Sequence, residues 1–349
     1  MTADPVVRTV DYHTGGEPFR IVVEGAPALE GRTVLERRRW AIANLDGIRH
    51  LLVDEPRGHA DMYGCFVTPP NDGGADLGVV FFHNEGYSTA CGHGTIALVT
   101  WAIDEGLVQA AAPEARVVVD VPSGRLECRA RLDDDGRVGS VAFRNVPSFV
   151  VARNLEIETS RGPVRVDVSF GGAFYGSVDV RSIGLAVDRA SLPALIALQR
   201  ELRPGIERRA SPRHPDEPDL AGIYGIIFWQ DEAAPPAAGA GAGPGADLVQ
   251  RNVTVFADGE VDRSPCGSGT SARLALLDAT AGGPLERGAT LVHRSVVDSV
   301  FTGRVVGDGP TVGGAPSLVT EVEGSAYRTG SHAFELDPRD PLGTGFLLR

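Results

Sequence analysis

Short apolar runs broken by glycine, proline and aspartate dominate this chain, and they predict many strands and few helices. Residues 6–12 and 19–25 read as two strands around the Gly-rich turn His13-Thr14-Gly15-Gly16-Glu17-Pro18, a hairpin-like start. Further strands are expected at 65–69, 77–83, 116–121, 125–132, 138–146, 148–152, 164–170, 223–229, 252–257, 289–293, 298–306, 317–323 and 331–336. Helical spacing is rarer. Val34, Leu35, Trp40 and Ile42 behind a capping Thr33 predict a helix to about Asn44, with a second piece through Leu51 and Leu52. Residues 93–106 are apolar all round, which predicts a buried central helix. Two more helices are expected at 191–201, with Pro193 in the first turn where proline is tolerated, and at 271–281.

The 349 residues are enough for two domains with a core in each. Val146-Pro147 marks the crossing. It divides the chain into 1–147 and 148–337, with 338–349 expected to return to the first half. Residues 232–247 are of low complexity and read as a flexible surface insertion between two strands. The triple Asp133-Asp134-Asp135 before Gly136 lacks the ligand spacing of a calcium loop and reads as a solvated turn.

Charge narrows the function classes. A net charge of −13 argues against a nucleic-acid partner, and Arg37-Arg38-Arg39 reads as a solvated helix face. The first ten residues do not resemble a signal peptide, and no run of about 18 apolar residues suggests a membrane span. A cytoplasmic location is expected, with Cys65, Cys91, Cys128 and Cys266 as reduced thiols. All 33 basic residues are arginine. Without lysine there is no Schiff-base anchor for pyridoxal phosphate and no P-loop lysine.

The chemistry concentrates in a repeat. Cys91-Gly92-His93-Gly94-Thr95-Ile96-Ala97 and Cys266-Gly267-Ser268-Gly269-Thr270-Ser271-Ala272 both read Cys-Gly-x-Gly-Thr-x-Ala, each ahead of a helix. Glycines let backbone and ligand approach closely. The first amides of a helix have no partner within it, so they attract an anion such as a carboxylate. The same field favours a thiolate. Cys65 and Cys128, in strands without such glycines, read as buried and inert. Zinc lacks its spaced ligand pairs here. A redox pair remains open, and a thiol hydrolase would leave the second copy unexplained. Two opposed thiols, one base and one acid, explain both copies. Arg57, His59 and Asp61 form a polar loop cluster that fits either a site or a self-paired loop, and Gly171–Tyr175 reads as a wall of the site.

With these motifs the chain resembles the proline racemase superfamily. The resemblance runs from DYHTGGEP through RGHADMYG, both cysteine motifs and FTG to DPLGTGF. It implies a diaminopimelate-epimerase-like α/β (α+β) fold, with two pseudosymmetric domains each wrapping a sheet around a central helix. It also implies that neither cofactor nor metal is used, and a homodimer is ordinary for the fold. By the same resemblance Cys91 and Cys266 flank a substrate α-carbon. The amides of Gly92-His93 and Gly267-Ser268 bind its carboxylate, and Asp262 receives the imino nitrogen of proline or a hydroxyproline. HNEGYSTACGH and FGGAFY look most like the branch that dehydrates trans-3-hydroxy-L-proline, where threonine typically stands at the second cysteine position. Cys266 is instead as in proline racemases and 4-hydroxyproline 2-epimerases, although Ile223-Tyr224-Gly225 lacks a histidine common in the epimerase branch. The expected activity is therefore inversion at the α-carbon, with dehydration as the alternative and non-catalytic imino-acid binding third.

Overall fold

The computed structural model describes residues 6–233, 246–278, 280 and 282–348. The chain divides into two compact units, Met1–Val141 with Ser325–Arg349, and Ala142–Gly324. The first unit holds β1 (Val7–Thr14), β2 (Glu17–Glu24), α1 (Val34–Asn44), α2 (Asp46–Val53), β3 (Tyr63–Thr68), β4 (Leu77–His83), α3 (Gly92–Asp104), β5 (Glu114–Val121) and β6 (Gly124–Leu132). β7 (Val138–Arg144) carries the chain onward. The second unit holds β8 (Phe149–Thr159), β9 (Gly162–Phe170), β10 (Phe174–Asp179), α4 (Leu192–Ala210), β11 (Ile223–Asp231), β12 (Ala246–Phe256), β13 (Glu260–Asp262), α5 (Gly267–Leu277), β14 (Thr290–Arg294), β15 (Val300–Asp308) and β16 (Leu318–Gly324). β17 (Ala326–Phe334) belongs to the first unit again.

The repeat seen in the motifs extends to the topology. In the first unit the order β17-β1-β2-β3-β4-β5-β6 pairs antiparallel, antiparallel, parallel, antiparallel, parallel, antiparallel. In the second, β8-β9-β10-β11-β12-β14-β15 gives the same series, and β16 adds one more antiparallel partner to β15. Parallel neighbours need a crossover connection. The β4-to-β5 crossover is made by α3 and the β12-to-β14 crossover by α5, after the short β13 pairs back on β12. Each cysteine motif opens one of these two matching helices.

Both helices are central to their own unit. α3 packs against β1, β2, β3, β6 and β17, and α5 against β8, β9, β10, β15 and β16. Gly92 to Ala102 and Gly267 to Leu277 are buried without a break, as small and apolar residues on every face require. The exceptions in composition are His93 on α3 and Arg273 on α5; the second is a buried guanidinium. It lies 3.7 Å from the Trp229 ring centroid and Arg273 Nε donates to Gln250 Oε1 at 3.1 Å, so the buried cation rests on an aromatic face.

Element edges differ from expectation where tertiary packing intervenes. α1 begins as expected, with Thr33 and Glu36 forming a reciprocal capping box. α4 does not end near 201 but runs through Pro204 to Ala210. An interior proline costs about 3 kcal/mol. Beyond it Ile206 is fully buried, which offsets about 1.5–3 kcal/mol of that cost. α5 starts at Gly267, directly after the cysteine, and not at Ser271. It ends at Leu277, short of the expected Ala281, which itself lies outside the described residues, as do residues 234–245 of the 232–247 insertion. Near the C-terminus Phe346 pairs by backbone with Glu55, both bonds 3.0 Å. Among the described residues no helix is long and apolar enough to cross a membrane.

Candidate active site

In the first unit Cys91 is the N-cap of α3, extended at φ −154°. Its Sγ accepts from the Gly94 amide at 3.2 Å, taking one of the amides that the helix itself cannot satisfy. The His93 ring nitrogens lie 3.5 and 3.6 Å from the sulfur. That ring is held edge-to-face by Tyr63 and Phe19, with centroids 4.8 and 5.6 Å away. The His93 carbonyl accepts from Thr14 Oγ1 at 2.9 Å, and the Tyr63 hydroxyl donates to Ser88. The motif now has a physical reading. A Cβ on Gly94 would sit 2.6 Å from Sγ, so the second glycine makes room for the sulfur. The amide and hydroxyl of Thr95 both donate to the Cys91 carbonyl, at 3.0 and 2.8 Å.

In the second unit Cys266 precedes α5 in the same way, and Asp262, Ser264, Gly267 and Ser268 gather around it. Asp262 Oδ1 accepts from the Ser264 amide at 2.8 Å, and Ser264 Oγ accepts from the Cys266 amide at 3.1 Å. The Tyr175 hydroxyl is 2.7 Å from Ser268 Oγ and 3.9 Å from Cys266 Sγ. The Thr270 amide donates to the Cys266 carbonyl at 2.7 Å, repeating the role of Thr95. Gly269 again makes room, since a Cβ there would lie 2.8 Å from Sγ.

The two copies are not equivalent. Cys266 has φ +63° and no side-chain capping bond. A non-glycine residue in such a region costs on the order of 1–3 kcal/mol and persists only where its surroundings enforce it. Electrostatics also differ from the expectation that a helix start favours a thiolate. Burial pushes the Cys266 thiol well above its ordinary range and the Asp262 charge adds to this, while the Gly269 amide and the Thr254 and Tyr175 hydroxyls oppose it. Burial likewise pushes Asp262 up to about 6, against its Ser264 hydrogen bonds. Cys65 and Cys128 are buried in β3 and β6, where desolvation raises both thiols.

Two of the three polar residues of the Arg57 loop bond to backbone carbonyls. Arg57 Nε donates to Leu51 O at 3.0 Å and Nη2 to Gly343 O, fastening DPLGTGF beside α2, while His59 Nδ1 meets Ala60 O at 2.8 Å. Among the described residues no three His, Cys, Asp or Glu side chains are grouped as a metal would need. Residue patterns had flagged the Gly171–Tyr175 stretch but not the Tyr175–Ser268 contact. They give no sign of Asn252 or His293 near Cys266. Thr270 was visible only as a repeated motif position.

Residues 9–347 match the family model described as proline racemase. A Bacillus cereus protein named trans-3-hydroxy-L-proline dehydratase is 42% identical over 348 residues, covering 100% of each chain. A Burkholderia multivorans protein named 3-hydroxyproline 2-epimerase is 46% identical over 342 residues, covering 98% of each. Among solved structures, a hydroxyproline epimerase from Agrobacterium vitis with bound trans-4-OH-L-proline superposes with a TM-score of 0.87 at 31% identity, over 99% of this chain and 96% of that one. The α/β fold is thus the expected diaminopimelate-epimerase-like one. From its two matching cysteine helices to its full-length relatives, the chain belongs to the proline racemase family, whose members are epimerases or dehydratases.

Proposed function

We propose that this protein inverts the α-carbon of a hydroxyproline or of proline, with Cys91 and Cys266 as its two acid–base groups. One thiolate takes the α-hydrogen as a proton, and the opposite thiol returns a proton to the other face, so the reaction needs no net proton. The amides of Gly92-His93 and Gly267-Ser268 hold the substrate carboxylate and stabilise charge that develops next to it. Asp262 takes the imino nitrogen. The observation that carries this reading is the duplication itself: a thiol stands directly before each of two buried crossover helices at matching places in two matching series of strand pairings. The reading requires the two units to present these helix starts to one substrate.

The relatives' names favour a hydroxylated ring, and the 46% identical epimerase makes 3-hydroxyproline the first substrate to test. Dehydration is the second reading, favoured by the name of the Bacillus cereus relative. In it Cys91 takes the α-proton, and a protonated Cys266 thiol delivers a proton to the departing 3-hydroxyl. A panel of proline, 3-hydroxyproline and 4-hydroxyproline stereoisomers, assayed for both inversion and cyclic imine, separates the readings. Inversion of a panel member supports the proposal. Imine from 3-hydroxyproline with no inversion replaces it with dehydration. Ligand-dependent thermal stabilisation without either product leaves only binding.

A further inference from the structure

The peptide between Pro265 and Cys266 is held at both ends. Its N–H donates to Ser264 Oγ at 3.1 Å. Its carbonyl accepts from Asn252 Nδ2 at 2.8 Å and lies 3.3 Å from Thr270 Oγ1. Asn252, Thr270 and His293 are all fully buried. Thr270 Oγ1 also lies 2.8 Å from His293 Nδ1.

Counting protons orders this cluster. Thr270 has one hydroxyl hydrogen. Were it given to His293, the ring would carry its own proton on Nε2, which has no partner among the described residues. A buried N–H without an acceptor is the rarer and costlier arrangement. With the ring proton on Nδ1 the bonds run from His293 to Thr270 to the Pro265 carbonyl, and the unpartnered atom is an acceptor; Asn252 Nδ2, 3.4 Å from Nδ1, then donates to the Pro265 carbonyl at 2.8 Å and not to the ring. Burial keeps the imidazole neutral, its pKa pushed down to about 3. The Asn252 amide is oriented by the same carbonyl, because its own oxygen there would repel Pro265 O.

We infer that Asn252, with the His293–Thr270 pair, positions Cys266 by clamping the peptide ahead of it and so holding the thiol at its positive φ. The orientation of that peptide plane is what φ of Cys266 measures, and a released plane can rotate back to a negative angle. Cys91 shows why the clamp is one-sided. It is extended at φ −154°, which any residue adopts, and its Sγ is seated by the Gly94 amide instead. The clamp's bearing on catalysis rests on the two-thiol proposal, whereas its bearing on the thiol's position does not.

The test compares iodoacetamide labelling of Cys266 with that of Cys91 in the same molecules, by mass spectrometry of proteolytic peptides. Asn252→Asp keeps the shape but loses the donor, and Thr270→Val removes the second donor. In each folded variant the Cys266-to-Cys91 labelling ratio is expected to rise threefold or more. In Asn252→Asp the kcat for inversion is expected to fall at least tenfold with KM within threefold of wild type. Thr270→Ser, which keeps the hydroxyl, is expected to restore both readouts. A labelling ratio that changes less than threefold in both folded variants overturns the inference. Because labelling needs no turnover, an inactive wild-type protein would count against the proposed reaction and leave this test standing.

Discussion

Replacing Gly94 by alanine puts a methyl group where the sulfur of Cys91 sits. The added Cβ would fall 2.6 Å from Cys91 Sγ and 2.3 Å from Phe19 Cε2. Ordinary contact between heavy atoms needs roughly 3.5–4.0 Å, so something must move by about 1 Å. Phe19 is fully buried and cannot swing into solvent. Two effects oppose each other. Alanine gains up to about 1 kcal/mol in helix propensity over glycine, while overpacking a filled core costs about 1–3 kcal/mol. The clash on two buried neighbours decides the sign, for a net loss of about 1–2 kcal/mol. For a domain of this size that lowers Tm by about 2–8 °C. A thiol displaced by about 1 Å loses on the order of 10²-fold in turnover. Differential scanning calorimetry and the inversion assay read both effects. Gly47→Ala is the control, because it lies in α2 with nothing within 4 Å of its added Cβ, and it is expected to leave Tm unchanged or higher. A Gly94→Ala protein as stable and as active as wild type would refute the claim that this glycine exists to seat the sulfur.

Cys91→Ser and Cys266→Ser are each expected to lower inversion by about 10²–10⁴-fold, the usual share of a general acid or base, and full activity in either would defeat the two-thiol scheme. Asp262 has a folded pKa of about 6, above its ordinary value of about 3.9, so its contribution favours the fold at low pH and is lost as pH rises through 6. Asp262→Asn is therefore expected to melt higher than wild type at pH 8, with the difference closing between pH 6 and 4, and to invert substrate poorly. A pH-independent Tm difference would contradict this. Arg57→Met removes bonds to the carbonyls of Leu51 and Gly343, each worth about 1.5–3 kcal/mol for a charged donor, and is expected to lower Tm and speed chymotrypsin cleavage near Phe346. Unchanged cleavage would show that this arginine does not fasten the C-terminal segment.

Local patterns carried the fold because its main signals are local. The apolar run after Cys91, the Thr33 cap and the Gly-Gly turn after His13 each announce an element within a few residues. The repeated Cys-Gly-x-Gly-Thr arm announced a helix behind each cysteine, though the second begins four residues earlier than expected; in the first copy its glycine and threonine act on the cysteine three and four positions away. What stayed hidden depends on partners distant in the chain. α4 passes Pro204 because Gly205 packs under distant Ile157 and Ile206 is buried against Gly176, which no reading of residues 191–210 reveals. Tyr175 meets Ser268 across 93 positions, and Asn252 meets His293 across 41. The positive φ of Cys266 was equally invisible, because Cys91 carries the same motif with ordinary geometry. Burial, which no motif encodes, reversed the expectation that the Cys266 thiol would be easily ionised.

The most direct test of the two-thiol claim is early-time turnover of a single 3-hydroxyproline epimer in heavy water, with chirality and mass read on both substrate and product. The account expects the new epimer to carry one α-deuterium while unconverted substrate carries none, and expects Cys266→Ser to slow formation of that product by at least about 10²-fold. Deuterium entering unconverted substrate as fast as the epimer forms, or undiminished inversion by Cys266→Ser, would contradict it.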